Sequence, residues 1–145
     1  MIKKVSFSIL LFSILTATTA LAQRADDILG RWVNSSGEGQ IQIYKKGSEY
    51  FGKLSWIKLP NDEAGKPKTD KKNPDPALRS RPILGLEILK DFTFDDDTYE
   101  GGTIYDPKSG KTYSCKMTLD GTRLKMRGYI GVSLLGRTEI WTRVK

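Results

Sequence analysis

The chain has 145 residues, 24 of them basic and 17 acidic, for a formal net charge of +7, with one cysteine and no histidine. A lone Cys115 excludes an internal disulfide, and the missing imidazole excludes a His-dependent catalytic triad and a His-ligated zinc site. The length suits one domain with one sizeable core.

Lys3 and Lys4 precede the apolar run Val5–Leu15, and Ala20-Leu21-Ala22 stands just before Gln23. A charged start, an apolar middle and a small-x-small end are the parts of a secretory signal peptide. The run is short for a bilayer span, and no stop-transfer pattern follows it. Export through a cleaved signal peptide at 1–22 is therefore expected, to the periplasm or beyond the cell, leaving one domain at 23–145. Residues 1–22 hold two of the 24 basic residues and no acidic ones, so the remainder carries 22 against 17, or +5. That balance fits a positively biased soluble surface, or a weak attraction to anionic envelope surfaces. The basic residues form no long run, and nucleic acid is not an expected partner. No cysteine stands at the junction to carry a lipid.

A short helical turn is expected over Ala25–Leu29, ended by Gly30. From there the pattern is β. Trp32–Asn34, Ser36–Tyr44 and Tyr50–Ile57 read as consecutive strands, with Gln40-Ile41-Gln42-Ile43-Tyr44 alternating polar and apolar and Gly47-Ser48 as a turn. Residues 59–81 hold four of the six prolines and many charges, which suits a long loop and excludes a central strand. Strands are expected again at Pro82–Leu89, Tyr99–Tyr105, Lys111–Leu119, Thr122–Ile130 and Arg137–Val144, with Asp120-Gly121 as a hairpin signal and Gly131–Leu135 as a turn. No helix is long enough for a βαβ crossover. An antiparallel meander of this length closes into a barrel or folds over as a sandwich, because open edges invite aggregation. Glycines within strands (Gly52, Gly101, Gly102, Gly128) suit the strong coiling of a barrel. The expected fold is all-β: a single antiparallel up-and-down barrel of about eight strands after a short helical turn.

Gly30-Arg31-Trp32 on the first strand and Thr138-Glu139-Ile140-Trp141-Thr142-Arg143 on the last resemble the closure of lipocalins (calycins). There the Trp plugs one barrel end and an Arg packs over its ring; Arg137 and Arg143 both qualify. A wider resemblance rests on five motifs in order. They are Asp70-Lys71-Lys72-Asn73-Pro74-Asp75-Pro76, Arg79-Ser80-Arg81-Pro82, Gly101-Gly102-Thr103-Ile104-Tyr105-Asp106-Pro107, Gly110-Lys111-Thr112-Tyr113, and Arg127-Gly128-Tyr129-Ile130-Gly131 through Gly136-Arg137-Thr138. They are similar to motifs of a bacterial exported family, domain of unknown function 2147. That resemblance implies a lipocalin-like barrel and an envelope location, and it transfers no catalytic residue, cofactor or ligand.

Asp70, Asn73, Asp75, Arg79 and Arg81 crowd the long loop. They read either as a polar rim over the barrel mouth, with Arg79 or Arg81 gripping an anionic group, or as a loop whose Asx side chains cap its own turns and whose Arg pairs with an Asp. Arg127, Tyr129 and Arg137 lie on the last two strands. Phase puts Leu124, Met126 and Ile130 inside and Arg127 and Tyr129 outside, unless a bulge at Gly128 or Gly131 reverses it. The large aromatics Trp32, Trp56, Tyr105, Tyr113 and Trp141 read mostly as core or barrel-end plugs; the alternative is that one or two, Trp56 and Tyr105 first, line a cavity and stack on a ligand. Asp95-Asp96-Asp97 with Glu100 could offer oxygen ligands to calcium, but the spacing fails an EF-hand and reads as a solvated hairpin tip. Cys115 shares a face with Tyr113 and Met117 and reads as a buried, inert thiol.

The leading reading is a binding module for an apolar or amphipathic small molecule, without cofactor or metal. Its ligand residues are drawn from Trp56, Asp70, Asn73, Arg79, Arg81, Tyr105, Arg127, Tyr129 and Arg137. A second reading is a structural or interaction protein whose barrel is filled by its own side chains. A third is a hydrolase working through carboxylates such as Asp70 and Asp75, though nothing singles out a carboxylate pair.

Overall fold

Turn residues at short intervals cut the alternating pattern into eight antiparallel strands. The computed structural model describes residues 24–129 and 136–145. The expected signal peptide and the expected turn at Gly131–Leu135 lie outside the described residues. The strands are β1 (Gly30–Val33), β2 (Gly39–Lys46), β3 (Glu49–Ile57), β4 (Glu87–Asp95), β5 (Thr98–Asp106), β6 (Lys111–Asp120), β7 (Arg123–Tyr129) and β8 (Arg137–Arg143). Each pairs with the next, and β8 returns to β1, so the sheet is a closed barrel. Closure removes the sheet edges, which is how a meander of this kind avoids edge-to-edge association. Among the described residues no helix is long and apolar enough to cross a membrane.

Side chains alternate between the two faces of the wall. Trp32, Ile41, Tyr50, Leu89, Tyr99 and Met117 are among the fully or almost fully buried residues that pack the interior. On β6 the inward row is Tyr113, Cys115, Met117 and Leu119, as the alternation predicts.

β4 differs from expectation. The expected strand was Pro82–Leu89; the observed one starts at Glu87 and runs to Asp95. Ile83 to Leu86 form a turn instead, with Leu86 N donating to Ile83 O and Gly85 at φ 88°. Beyond Leu89, Asp91 takes φ 63°. The next buried residue is then Phe92, three positions on instead of two. A bulge of this kind keeps the aromatic facing the core while breaking the period-two pattern by which a strand is read.

Three tight turns (β2–β3, β4–β5 and β6–β7) lie at one end of the barrel, here the hairpin end. The N-terminal helical turn, residues 24–26, packs there too. It covers one residue more on the N-terminal side than expected and stops earlier. Tyr50 Oη donates to Asp26 Oδ1 at 2.6 Å, and Tyr99 Oη donates to Ala25 O at 2.6 Å. Trp32 fills the barrel axis behind this turn, its Nε1 donating to Ile28 O at 2.9 Å. Arg143 settles the choice between the two arginines. Its guanidinium carbon stands 4.3 Å from the Trp32 ring centroid, and Nη1 donates to Leu29 O at 3.0 Å while Nη2 donates to Asp27 O. Gly30 is required between them. It takes φ 126°, and an added Cβ would lie 3.1 Å from Arg143 Nη1.

Replacing Trp32 by Ala empties a fully buried site and removes the surface on which Arg143 stacks. Trp32→Ala is expected to cost about 3–5 kcal/mol in denaturant unfolding. Ile140→Ala, at a 40% exposed position, should change stability by less than about 0.5 kcal/mol. A Trp32→Ala loss below about 1 kcal/mol would reject the plug.

Candidate functional site

The other end of the barrel, the loop end or mouth, carries the β1–β2, β3–β4 and β5–β6 connections. Residues facing each other across a strand pair share a face of the wall. Gly102 faces Cys115 and Ile104 faces Tyr113 on β5–β6; Gly128 faces Arg137 and Met126 faces Glu139 on β7–β8. Cys115 and Met126 are buried, so this register places Ile104, Tyr113, Gly128, Arg137 and Glu139 in inward rows toward the mouth. Ile104, Tyr113, Gly128 and Glu139 are only half-buried, unlike the packed residues below them. Glu139 Oε1 accepts from Arg137 Nη2 at 3.0 Å, and Oε2 accepts from Trp141 Nε1 at 3.3 Å. The Arg137 side chain reaches solvent. The mouth therefore combines an apolar floor of Cys115, Met126 and Trp141, a half-buried aromatic and aliphatic wall, and one ion pair near the rim. At Gly128 the wall has no side chain. An added Cβ would meet Tyr113 Cβ at 3.8 Å and Ile104 Cγ2 at 3.9 Å, ordinary contact distances.

The long loop does something else. Tyr105 lies opposite the exposed Thr112, on the outer side of the β5–β6 wall. Asp70, fully buried, accepts from Tyr105 Oη at 2.5 Å through Oδ1. Its Oδ2 accepts from Asn73 Nδ2 at 2.9 Å and from Arg81 Nε and Nη2 at 3.1 and 3.0 Å. Asn73 Oδ1 accepts from Asp75 N at 2.8 Å, and Arg79 Nε donates to Asn73 O at 2.8 Å. Asp75 caps the short 3-10 turn Pro76–Leu78 by accepting from Ala77 N. The crowded residues of the loop do meet, and they form a hub that folds the loop onto the wall. An added Cβ at Gly110 would lie 2.0 Å from Lys72 O, so the loop backbone rests directly on the β5–β6 turn.

Burial pushes the Asp70 carboxyl up, but the hydrogen bonds from Tyr105, Asn73 and Arg81 outweigh it and hold the group below the usual carboxylate range. Burial and the neighbouring carboxylate push the Tyr105 phenol up to about 12. Both Asp70 oxygens are occupied and Asp75 is a cap, so the two carboxylates face no common cleft.

The remaining sequence candidates separate by face. Arg127 faces Lys116 and Thr138 on the outer side, donating from Nη1 to Thr138 Oγ1 at 2.8 Å. Tyr129 faces Ser114, also outside. A register shift between Gln40 and Ile41 places Trp56 opposite Gln40, in the outer row beginning at Val33, and it is 42% exposed. Of the nine candidates, Arg137 alone takes an inward position at the mouth. Glu139 was missed. Its signal was available: Trp141 is a core residue, and alternation from it puts Glu139 and Arg137 on the same face. Burial pushes the Cys115 thiol up to about 12, which makes it a poor nucleophile. Asp96 and Asp97 form the β4–β5 turn, and Asp97 pairs with Arg24. Among the described residues no group of three or more acidic or cysteine side chains could hold a metal. A groove of about 550 Å³ opens at the hairpin end beside Arg24, Asp27, Phe94, Tyr99, Leu119 and Arg143. Its two arginines are already engaged, by Asp97 and by the Asp27 and Leu29 carbonyls.

The family model for uncharacterized proteins conserved in bacteria, DUF2147, matches residues 30–143. The chain belongs to this family. Among solved structures, the barrel is similar to protein HP1028 from the human pathogen Helicobacter pylori, described as belonging to the lipocalin family. The TM-score is 0.70 at 23% identity, over 82% of this chain and 84% of that one, a likeness of fold. No curated protein matches the chain. The family stretch spans every strand, from the Gly30 that opens β1 to the Arg143 that closes β8. The fold is thus a lipocalin-like eight-stranded barrel.

The Asp70 hub makes a signed prediction. A carboxyl whose folded pKa is lowered stabilises the fold above its unfolded pKa of about 4, and that contribution is lost as pH falls through the folded value. Asp70→Asn should cost about 2–3 kcal/mol at pH 7, and its gap to the parent should narrow below about pH 4. Urea unfolding of both proteins across pH 2–7 measures this. Arg81→Ala should also lower stability; an unchanged melting temperature would return Arg81 to the role of a free rim residue.

Proposed function

We propose that this protein is a binding module of the cell envelope, exported through a cleaved signal peptide at 1–22, which holds an apolar or amphipathic small molecule in the loop-end half of its barrel. The observation carrying the reading is the contrast between the two halves. Toward the hairpin end the interior side chains Trp32, Tyr50, Phe92 and Tyr99 are fully or almost fully buried; toward the mouth the inward Ile104, Tyr113, Gly128 and Glu139 are half-buried. Apolar walls with a few convergent polar groups are the usual make-up of a small-molecule site. The lipocalin-like fold agrees with that use, as an analogy of architecture. An apolar portion of the ligand would rest on Met126 and Trp141, and a polar portion would meet Arg137 and Glu139. The second reading, a self-filled barrel that binds an envelope partner, is favoured by the completeness of packing around Trp32, Phe92 and Tyr99.

Two measurements separate these. Protein recovered gently from the periplasmic fraction should begin at Gln23 and carry a stoichiometric small-molecule adduct in native mass spectrometry. Gly128→Leu, which fills the open stretch of wall at an unstrained backbone position, should remove the adduct with a melting shift below about 4 °C. An intact 1–22 segment in the recovered protein would refute cleavage, and absence of the protein from the periplasmic fraction would refute export. A bare mass in both proteins would favour the filled barrel.

A further inference from the structure

We infer that the outer face of β6–β7–β8 is a docking surface for an anionic lipid bilayer. The surface is read from charge and register, independently of the ligand in the barrel. Arg123, Lys125 and Arg127 occupy every second position of β7 and form its outward row. Lys116 stands directly opposite Arg127 on β6. Like charges facing each other across a strand pair are unfavourable, and Glu100 offsets this only at 4.0 Å from Lys116. Asp120 lies opposite Arg123 yet makes no ion pair with it, and among the described residues neither Arg123 nor Lys125 has an ion-pair partner.

The opposite wall is different. There Lys45 pairs with Asp26, and Lys46 pairs with Glu87 and stands 4.0 Å over the Phe51 ring. Lys53 lies over Tyr44. Lys45 and Lys46 thus have ion-pair partners within the fold, whereas the charges of Arg123 and Lys125 on β7 are neutralised by no ion pair among the described residues.

What lies between the cations narrows the occupant. Lys125 faces Ile140, which is 40% exposed, and Arg123 faces Thr142, which faces Val33. The face is a sheet wall with cations about 7 Å apart along β7 and about 5 Å across to β6, interleaved with threonines and an apolar residue. Such a wall offers no concave cradle for one phosphate and no aromatic platform for bases. It matches an extended negative surface into which a short apolar side chain can dip, as an anionic headgroup layer allows.

The test uses vesicles of phosphatidylglycerol mixed with phosphatidylcholine, against phosphatidylcholine alone. Parent and variant proteins share the same N-terminus, so the leading segment cancels. The parent should co-sediment with the anionic vesicles only. Arg123→Glu/Lys125→Glu should weaken that partition by about tenfold or more at low salt. Lys66→Glu/Lys71→Glu, an equal charge change on the exposed long loop, should weaken it by less than about threefold. Circular dichroism and melting curves confirm that both variants keep the barrel. Equal losses in the two variants would reduce the effect to net charge and overturn the assignment to this wall. Binding to neutral vesicles, no effect of the β7 reversal, or binding to a soluble acidic polymer but not to vesicles would overturn it as well.

Discussion

The barrel depends on how its last strand is fastened to its first. β1 has four residues and meets β8 over two register pairs, Trp32 with Arg143 and Val33 with Thr142. So short a ladder is a weak seam for a sheet whose other strand pairs run longer. The stack of Arg143 on Trp32 closes it from inside. The same guanidinium donates to the carbonyls of Leu29 and Asp27, so one side chain joins the last strand, the first strand and the chain that precedes them. The indole is held from behind by its own bond to Ile28 O. Gly30 belongs to this arrangement because any side chain there would meet both a disfavoured backbone angle and the guanidinium.

Fastening one end shapes the other. Trp32, Tyr50, Phe92 and Tyr99 are buried at the hairpin end, so the half-buried inward positions lie at the loop end. The long β3–β4 connection would be the natural lid for that mouth. It is instead tied to the wall through Asp70, whose carboxylate draws Tyr105, Asn73 and Arg81 together outside the barrel. A buried carboxylate with both oxygens engaged is rigid, because moving any one partner leaves an unsatisfied group behind.

Much of this was legible in the sequence. Strand number, hairpin order and the inward row of β6 follow from alternation and turn residues, and the Gly-x-Trp opening pointed to the closure. The composition of 59–81 marked a long loop, and of the two readings of its Asx and Arg residues the capping and pairing one is what the hydrogen bonds form. Three features were not legible, each for a physical reason. The bulge at Asp91 breaks the period by which a strand is recognised, so β4 read as ending near Leu89. The register shift at Gln40 moves Trp56 to the outside, and such shifts are decided by pairing between strands. Tyr105 counted as a cavity aromatic because burial alone does not say which side of a wall a residue is buried on; the loop that covers it comes from 35 positions earlier in the chain.

The placement of the hub outside the wall has a consequence for the interior. A charge buried within the barrel would need its partners there too, and would occupy the volume that a guest requires. By satisfying Asp70 against Tyr105 on the outer face, the fold keeps the polar groups of its longest loop away from the mouth. The inward charge pair described there, Arg137 with Glu139, stands near the rim, where Arg137 remains hydrated and exchange of one anionic partner for another carries little desolvation cost. A guest of the kind proposed would therefore be sorted by position. Its apolar part would gain by descending to Met126 and Trp141, and a charged part would be held at the level of Arg137, because lower in the barrel it would have no partner.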